Sequence, residues 1–142
     1  MFNKILLGYD GSPHANRALI VALNLAQKCK AEIAAVSIAH LPDFAGTRDE
    51  VNGVLEDAQN FFAKALEQAK ELASRQGITL NTKIIPGHPA DKLVRLAKEE
   101  GYDLIVLGAR GLSGIKRLIL GSVSEAVVRL ASCPVLIVKE KR

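Results

Sequence analysis

Short apolar runs alternate along the chain with longer segments whose apolar residues recur at helical spacing. Each of the runs is nearly continuous and stops at turn residues, which is typical of strands buried in a parallel sheet. We predict strands at residues 4–9, 31–39, 78–86, 103–108 and 134–139. The third run alternates partly between apolar and polar residues, so we expect its strand nearer a sheet edge.

Segments of helical period separate these runs. Ser12 and Pro13 match an N-cap and a first helical residue, and they predict a helix that ends near Cys29. A second apolar stripe runs through residues 51–73 and predicts a long helix that ends near Gly77. Further helices are expected after the third and the fourth strand.

The alternation of strands and helices predicts an α/β fold with a single open parallel sheet. Right-handed crossovers give five strands in the order 3-2-1-4-5 with helices on both faces, a Rossmann-like architecture. Residues 40–53 carry Pro, Gly and polar residues without period and predict a long loop. At 142 residues the chain is expected to form a single domain, residues 1–142, without repeats or linkers.

Charge and composition exclude several classes of partner. The 19 basic and 15 acidic residues are scattered, and the two tyrosines and four phenylalanines do not interleave with basic residues as in proteins that stack nucleic-acid bases. No window approaches the ~18 apolar residues of a membrane span, and the first apolar run is too short for a signal peptide. Cys29 and Cys133 lie outside any CxxC motif and are expected to be reduced core thiols. We therefore expect a cytoplasmic protein with neither a nucleic-acid partner nor membrane insertion.

The predicted strand order places a ligand site between the first and the fourth strand. In open parallel sheets, ligands bind beyond the carboxyl ends of the strands, at the point where the strand order reverses. Residues 8–12, GYDGS, and residues 108–122, GARGLSGIKRLILGS, meet at that point. The second segment contains four glycines and three basic residues between a strand and a helix.

Gly108, Gly111, Gly121 and Ser122 have the properties of a phosphate cradle. Glycines let backbone amides approach an anion closely, and the first turn of the helix that starts near Ser122 offers free amides and a positive dipole end. A purely structural interpretation stays open, in which Gly108 ends a strand and Ser122 forms a capping box with Glu125.

The basic residues of this loop do not complete a known phosphate motif. Arg110, Lys116 and Arg117 could add charge around a phosphate, although we favour solvated positions for Lys116 and Arg117. The loop contains no GxxxxGK[ST], and no GxGxxG follows the first strand, which excludes a P-loop and a dinucleotide fingerprint.

Asp10 and Ile38 are the other candidate ligand contacts from position alone. The Asp10 carboxylate could accept hydrogen bonds from a ribose or help to hold a phosphate-bound Mg²⁺, or it could serve only its own turn. Ile38 and Ala39, at the end of the second strand, would wall a flat ring, although core packing explains them equally well.

The glycine spacing resembles that of the ATP-binding type of the universal stress protein family. The pattern is Gly, two residues, Gly, nine residues, Gly and then Ser or Thr, and it is met by Gly108, Gly111, Gly121 and Ser122. Supporting resemblances run the whole length of the chain, in KILLGYDGS, GHPADKLVRLAKEEGYDLIVLGARG and GSVSEAVVRLASCPVLIVK. One departure is Ser37, where the family often has His.

The resemblance implies an adenine-nucleotide α-hydrolase-like fold that binds ATP, or ADP or AMP, with Mg²⁺ held mainly by the phosphates. It implies that Asp10 meets the ribose side, with Gly8 bordering the same pocket, and that Ile38 walls the adenine, with Leu107 flanking it. The residues implied to wrap the ribose and the phosphates are Gly108, Gly111, Gly121, Ser122 and Val123.

The resemblance also implies a homodimer formed by the last strand, which begins at Pro134 and ends at Lys139. Its sequence, PVLIVK, is an apolar edge strand, and an uncovered edge of this kind favours pairing with a second chain.

The function implied is that of an ATP-binding regulatory protein of the stress response, with a protein partner that the sequence does not identify. One alternative is a slow ATPase or nucleotidyl-transfer enzyme, but hydrolysis needs a group that orients water, and no obvious one is present. His14 and His88 lie near helix starts and are interpreted as surface residues, so at most weak ATP hydrolysis is expected. The other alternative is a nucleotide-free dimeric scaffold, against which the intact glycine spacing argues.

Overall fold

The computed structural model describes residues 1–41, 46–110 and 120–139. Strands and helices alternate strictly through these residues. The elements are β1 (Lys4–Gly8), α1 (Pro13–Cys29), β2 (Glu32–His40), α2 (Arg48–Arg75), β3 (Leu80–Gly87), α3 (Pro89–Glu99), β4 (Leu104–Gly108), α4 (Ser122–Leu130) and β5 (Val135–Val138).

The strands form one parallel sheet in the order β3-β2-β1-β4-β5, which confirms the predicted topology. β1 and β4 lie side by side at the centre, and β3 lies at an edge, as its partial alternation indicated. Uniformly apolar strands take central positions because both of their faces are covered by helices.

Helices cover both faces of the sheet, and two apolar clusters result. Ile5 and Leu7 of β1 belong to the cluster that includes residues of α1 and α2. Leu6 points the other way and belongs to the cluster that includes Leu93 of α3 and Val127 of α4. Among the described residues, no helix is both long and apolar enough to span a membrane.

The start of α1 follows the end of β1 almost at once. Ser12 is the N-cap, its side-chain oxygen accepts a hydrogen bond from the Ala15 amide at 3.2 Å, and Pro13 is the first helical residue, as predicted. The helix ends at Cys29, and Lys30 closes it in the left-handed conformation at φ 54°. The turn between β1 and α1 is therefore short and fixed at both ends.

The prediction of a loop across residues 40–53 is wrong at residue 40 and at residues 48–53, which belong to a strand and a helix. β2 continues to His40 and α2 begins at Arg48, while residues 42–45 lie outside the described part of the chain. Thr47 caps α2, since its hydroxyl oxygen accepts from the Glu50 amide at 3.1 Å and its hydroxyl donates to the Glu50 carboxylate at 3.0 Å. A Ser or Thr followed three residues later by Glu is a helix-start signal.

The two cysteines are free thiols, but neither is fully buried as expected of core residues. Cys29 and Cys133 have intermediate exposure, and Cys133 packs against the cluster that contains Leu6. Burial, followed by the nearby charge of Asp103, raises the pKa of the Cys133 thiol.

We expect Thr47→Ala to lower the free energy of unfolding by ~1 kcal/mol, because the Glu50 amide loses its acceptor at an exposed helix start. Urea unfolding followed by circular dichroism measures the change. Thr47→Ser keeps the hydroxyl and is expected to retain most of the stability. Equal stability of the alanine variant and the unsubstituted protein would show that the cap contributes nothing.

Candidate functional site

A cleft of about 280 Å³ opens at the carboxyl ends of β1 and β4, where the strand order reverses. Eight of the nine predicted site residues line it: Gly8, Asp10, Ile38, Leu107, Gly108, Gly121, Ser122 and Val123. The ninth, Gly111, lies outside the described residues, as do Lys116 and Arg117. Two segments nearly 100 positions apart in the chain thus meet around one cavity.

Asp10 lies in a tight turn at the end of β1 and also lines the cleft. Its Oδ1 accepts a hydrogen bond from the Ser12 amide at 2.9 Å, as the turn interpretation requires. Gly11 follows with φ +79°, a conformation that favours glycine. The turn and ligand interpretations of Asp10 are therefore compatible, because the same turn places the residue in the cleft wall.

Tyr9 is a lining residue that the sequence did not single out. Its hydroxyl donates to Oδ1 of Asn16, and Asn16 in turn donates from Nδ2 to the Gly11 carbonyl at 3.3 Å. Burial, and secondarily the charge of Asp10, raises the pKa of the Tyr9 phenol. Tyr9 therefore stays protonated at neutral pH and keeps its donor role in bracing the turn.

Ser37 holds the same turn from the side of β2. It is 1% exposed, and its hydroxyl donates to the Tyr9 carbonyl at 2.6 Å. The sequence marked Ser37 only as a departure from a family pattern. Its hydrogen bond depends on the pairing of β1 with β2 and is not visible in local sequence.

Several residues of the cleft lining are apolar. Ile38 and Leu107 line the cleft as predicted, and Leu93 of α3 and Phe62 of α2 add apolar surface that the sequence analysis missed. Both belong to helical apolar stripes, so their patterns indicated core packing and gave no sign of the cleft. The prediction that Ala39 also walls the site is wrong. Ala39 is buried and does not line the cleft, because successive side chains of a strand point to opposite faces of the sheet.

The opposite end of the cleft is formed by the start of α4. Gly121 is the N-cap, no side chain caps the helix, and Ser122 is its first residue, so the capping-box interpretation of Ser122 is wrong. The Gly121 amide donates to the Ala109 carbonyl at 2.8 Å, which fixes the helix start one residue earlier than the capping box required. The first-turn amides of Ser122 and Val123 therefore lie at a helix N-terminus that borders the cleft.

Ser124 and Arg110 complete this end of the cleft. Ser124 is buried, and its hydroxyl donates to the Gly108 carbonyl at 2.7 Å, which ties the first turn of α4 to the end of β4. Arg110 lines the cleft and supplies a positive charge there. Arg110 and the start of α4 thus lie on the same side of the cavity.

Gly108 and Gly121 are glycines for different reasons. A Cβ at Gly108 would lie 2.7 Å from the backbone of His14 and 2.9 Å from the Ala15 amide nitrogen, so the close approach of β4 to α1 excludes a side chain. A Cβ at Gly121 would meet its nearest atoms, in Ala109 and Arg110, at 3.4 Å, an ordinary contact. The described protein atoms therefore require glycine at position 108 and leave room at position 121.

A larger hollow of about 530 Å³ lies at the amino ends of the strands, away from the point where their order reverses. Two of its lysines contact Glu100: Lys83 lies 3.3 Å from the Glu100 carboxylate, and the Lys4 ammonium donates to the Glu100 backbone carbonyl at 2.6 Å. Because ligands of open parallel sheets bind beyond the carboxyl ends of the strands, we place the candidate site in the smaller cleft.

The described residues show neither a catalytic histidine nor a metal-binding cluster in the cleft. Among the described residues, the lining contains no histidine, and no cluster of three or more His, Cys, Asp or Glu residues is arranged to hold a metal ion. His88 is the N-cap of α3, and its ring lies 5.7 Å from the ring of His40, centroid to centroid.

Comparison with known proteins gives consistent matches over the whole chain. The model of the universal stress protein family matches residues 1–139. The universal stress protein YxiE of Bacillus subtilis is 37% identical over 150 aligned residues, which cover 98% of this chain and 100% of that protein.

Solved structures agree with this result. Universal stress protein UspA from Lactobacillus plantarum superposes with a TM-score of 0.83 at 30% identity, covering 96% of this chain and 97% of that one. A universal stress protein crystallised in complex with cAMP superposes with a TM-score of 0.77 at 27% identity, covering 99% of each chain. Because the family model spans nearly every residue and full-length relatives share more than a third of their positions, the chain belongs to the universal stress protein family.

Proposed function

We propose that the cleft binds an adenine nucleotide, ATP with ADP or AMP as competitors, and that the protein is a regulatory module of the stress response. In this proposal residues 1–142 act as one domain. The observation that carries it is the lining of the cleft, in which apolar residues, the carboxylate of Asp10 at the end of β1, and the start of α4 with Arg110 surround one cavity. A relative 27% identical to this chain has been solved with cAMP, an adenine nucleotide, which supports the same ligand class.

The backbone of Ile38 suits the base of an adenine nucleotide. β1 and β2 stay paired up to Gly8 and Val36, and the last bond runs from the Tyr9 amide to the Val36 carbonyl at 3.0 Å. Because residues of β2 that bond toward β1 alternate, Ile38 directs its N–H and C=O into the space where β1 has turned away. One donor beside one acceptor complements adenine, which offers an acceptor at N1 and a donor at N6.

Asp10 is proposed to accept hydrogen bonds from the ribose hydroxyls. Its Oδ1 already accepts from the Ser12 amide, and an ionised carboxylate can accept further hydrogen bonds. Asp10 lies between the apolar part of the cleft and the start of α4, where the sugar of a nucleotide bound across the cleft would lie.

The start of α4 is proposed to hold the phosphates. The amides of Ser122 and Val123, the Ser122 hydroxyl and Arg110 offer donors and positive charge at one end of the cleft. Mg²⁺, where bound, would be held mainly by the phosphates and would neutralise part of their charge. Backbone donors recognise phosphate without counting it, so AMP and ADP are expected to compete with ATP.

A homodimer formed through β5 is part of the proposal. The Pro134 carbonyl accepts from the Ile105 amide at 3.0 Å and the Val138 carbonyl accepts from the Ala109 amide at 2.8 Å. Since bonding residues alternate along a parallel strand, Val135 and Ile137 direct their backbone groups to the outer edge of the sheet. Exposed Val128 and Leu130 of α4, which packs on β5, add apolar surface close to that edge.

Gly121→Val is expected to weaken ATP binding by ~100-fold, because a branched side chain at the helix start displaces the phosphates from about two charge-assisted hydrogen bonds. Isothermal titration calorimetry measures the affinity, and urea unfolding checks that the fold persists, as the ordinary contact distances of a Cβ at this position imply. Gly53→Val, at a position of α2 where a Cβ would meet nothing within 4 Å, is the matched control and should bind ATP normally. Undiminished affinity in a folded Gly121→Val protein would refute the placement of the phosphates.

Asp10→Asn is expected to weaken ATP binding by ~10-fold and to leave the binding of 2′,3′-dideoxy-ATP almost unchanged, because the lost charge matters only where ribose hydroxyls donate to it. Asn keeps a side-chain oxygen for the Ser12 amide, so the turn is retained. Equal losses for both nucleotides would contradict a ribose contact.

Phosphate release under single-turnover conditions, measured on the unsubstituted protein and on Asp10→Asn, separates a binding module from an ATPase. Release that Asp10→Asn abolishes would favour the enzyme.

Ile137→Pro is expected to convert the dimer into a monomer, because proline removes an outward amide while the neighbouring bonds to β4 remain. Sedimentation velocity at several protein concentrations measures the change. A dimer of unchanged stability would show that the subunits associate elsewhere.

A further inference from the structure

The Ser37 hydroxyl takes the place of a backbone hydrogen bond at the end of the ladder between β1 and β2. It lies in β2 between Val36, the last residue paired with β1, and Ile38, whose backbone faces the cleft. Its side chain is almost fully buried at 1% exposure, and its hydroxyl donates to the Tyr9 carbonyl at 2.6 Å. A short bond in a buried place is a strong local constraint, because leaving either group without a partner there is costly.

The Tyr9 carbonyl has an alternative donor in the regular pattern of a parallel sheet. The Tyr9 amide donates to the Val36 carbonyl at 3.0 Å, so Tyr9 belongs to the set of residues that bond toward β2. In a ladder that continued by one more step, the Tyr9 carbonyl would accept from the Ile38 amide. The Ser37 hydroxyl takes that role instead, and the Ile38 amide is left directed toward the cleft.

The hydrogen bond from the Ser37 hydroxyl to the Tyr9 carbonyl also affects the position of Asp10, the residue after Tyr9. The Tyr9 carbonyl belongs to the peptide that leads into Asp10, so its orientation sets where the turn of Asp10 begins. That turn is then held by the bond from the Ser12 amide to Asp10 Oδ1 at 2.9 Å. One buried hydroxyl is therefore linked to two proposed ligand contacts, the Ile38 amide and the Asp10 carboxylate.

We infer that Ser37 is a positioning residue that sets base selectivity: by holding the Tyr9 carbonyl, it keeps the Ile38 amide available to N1 of an adenine. The inference rests on the proposed function of the cleft. Without the hydroxyl, the Tyr9 carbonyl takes the Ile38 amide as its partner, the ladder lengthens by one step, and the base loses its donor.

Comparison of ATP with ITP tests this role. Hypoxanthine presents a donor at N1 and an acceptor at position 6, the reverse of adenine, so both backbone groups of Ile38 oppose it. The unsubstituted protein is expected to prefer ATP over ITP by on the order of 100-fold, because two mismatched groups stay unpaired. In Ser37→Ala the preference is expected to fall to ~10-fold or less, because one of the two groups no longer reads the base.

Two further variants separate selectivity from stability. Ser37→Cys keeps the shape with a weaker donor and is expected to give an intermediate preference. Asp103→Ala removes two side-chain bonds at the other end of β1, to the amides of Asn3 at 2.8 Å and Lys4 at 3.1 Å. It should lower the stability while leaving the ratio of ATP to ITP affinity unchanged.

Calorimetric titration of both nucleotides, with urea unfolding of each variant, gives a decisive result in either direction. A reduced ATP-to-ITP ratio in Ser37→Ala and Ser37→Cys, with the normal ratio in Asp103→Ala, supports the inference. Should Ser37→Ala not fold, the Ser37→Cys ratio decides alone. Normal ratios in the Ser37 variants overturn the positioning role and leave the proposed function standing, whereas absence of ATP binding by the unsubstituted protein overturns both.

Discussion

The site depends on the place where the central ladder of the sheet stops. β1 pairs with β2 as far as the bond from the Tyr9 amide to the Val36 carbonyl, and the chain then turns into α1 within a few residues. β4 ends beside β1, and the next helix, α4, packs in the apolar cluster on the opposite face of the sheet from α1. A crevice at this position is a consequence of strand order, and the residues that line it are those at which the strands end.

Gly108 and Gly121 both border this crevice, but the packing around them differs. Gly108 is glycine because the start of α1 comes too close for a side chain, and Ser124 donates to its carbonyl, so this residue serves the fold. Gly121 has ordinary space around it and caps α4 without help from a side chain. The described atoms around Gly121 therefore do not require glycine there, although glycine is also a favoured N-cap residue.

The fold and the outline of the site could be predicted from the sequence because both follow from short-range patterns and general topology. Continuous apolar runs identified β1 and β4 as central strands, and strand order alone placed Asp10 and Gly121 at one end of the sheet. The start of α2 was missed although Thr47 and Glu50 carry a helix-start signal, because the surrounding residues lack an apolar period. The alternative that Ser122 caps α4 is wrong, and the bond from the Gly121 amide to the Ala109 carbonyl, which joins residues distant in sequence, is not visible in the local pattern. The roles of Ser37 and Phe62 depend on strand register and helix packing, which local sequence does not encode.

The most direct test of the central claim is a calorimetric titration of the unsubstituted protein with ATP and, in parallel, with GTP. Binding of ATP at submillimolar concentration, with GTP much weaker because guanine presents the wrong donor and acceptor to Ile38, is the predicted result. Absence of ATP binding up to millimolar concentration, or equal affinity for the two nucleotides, would contradict an adenine-specific nucleotide site in the cleft at the ends of β1 and β4.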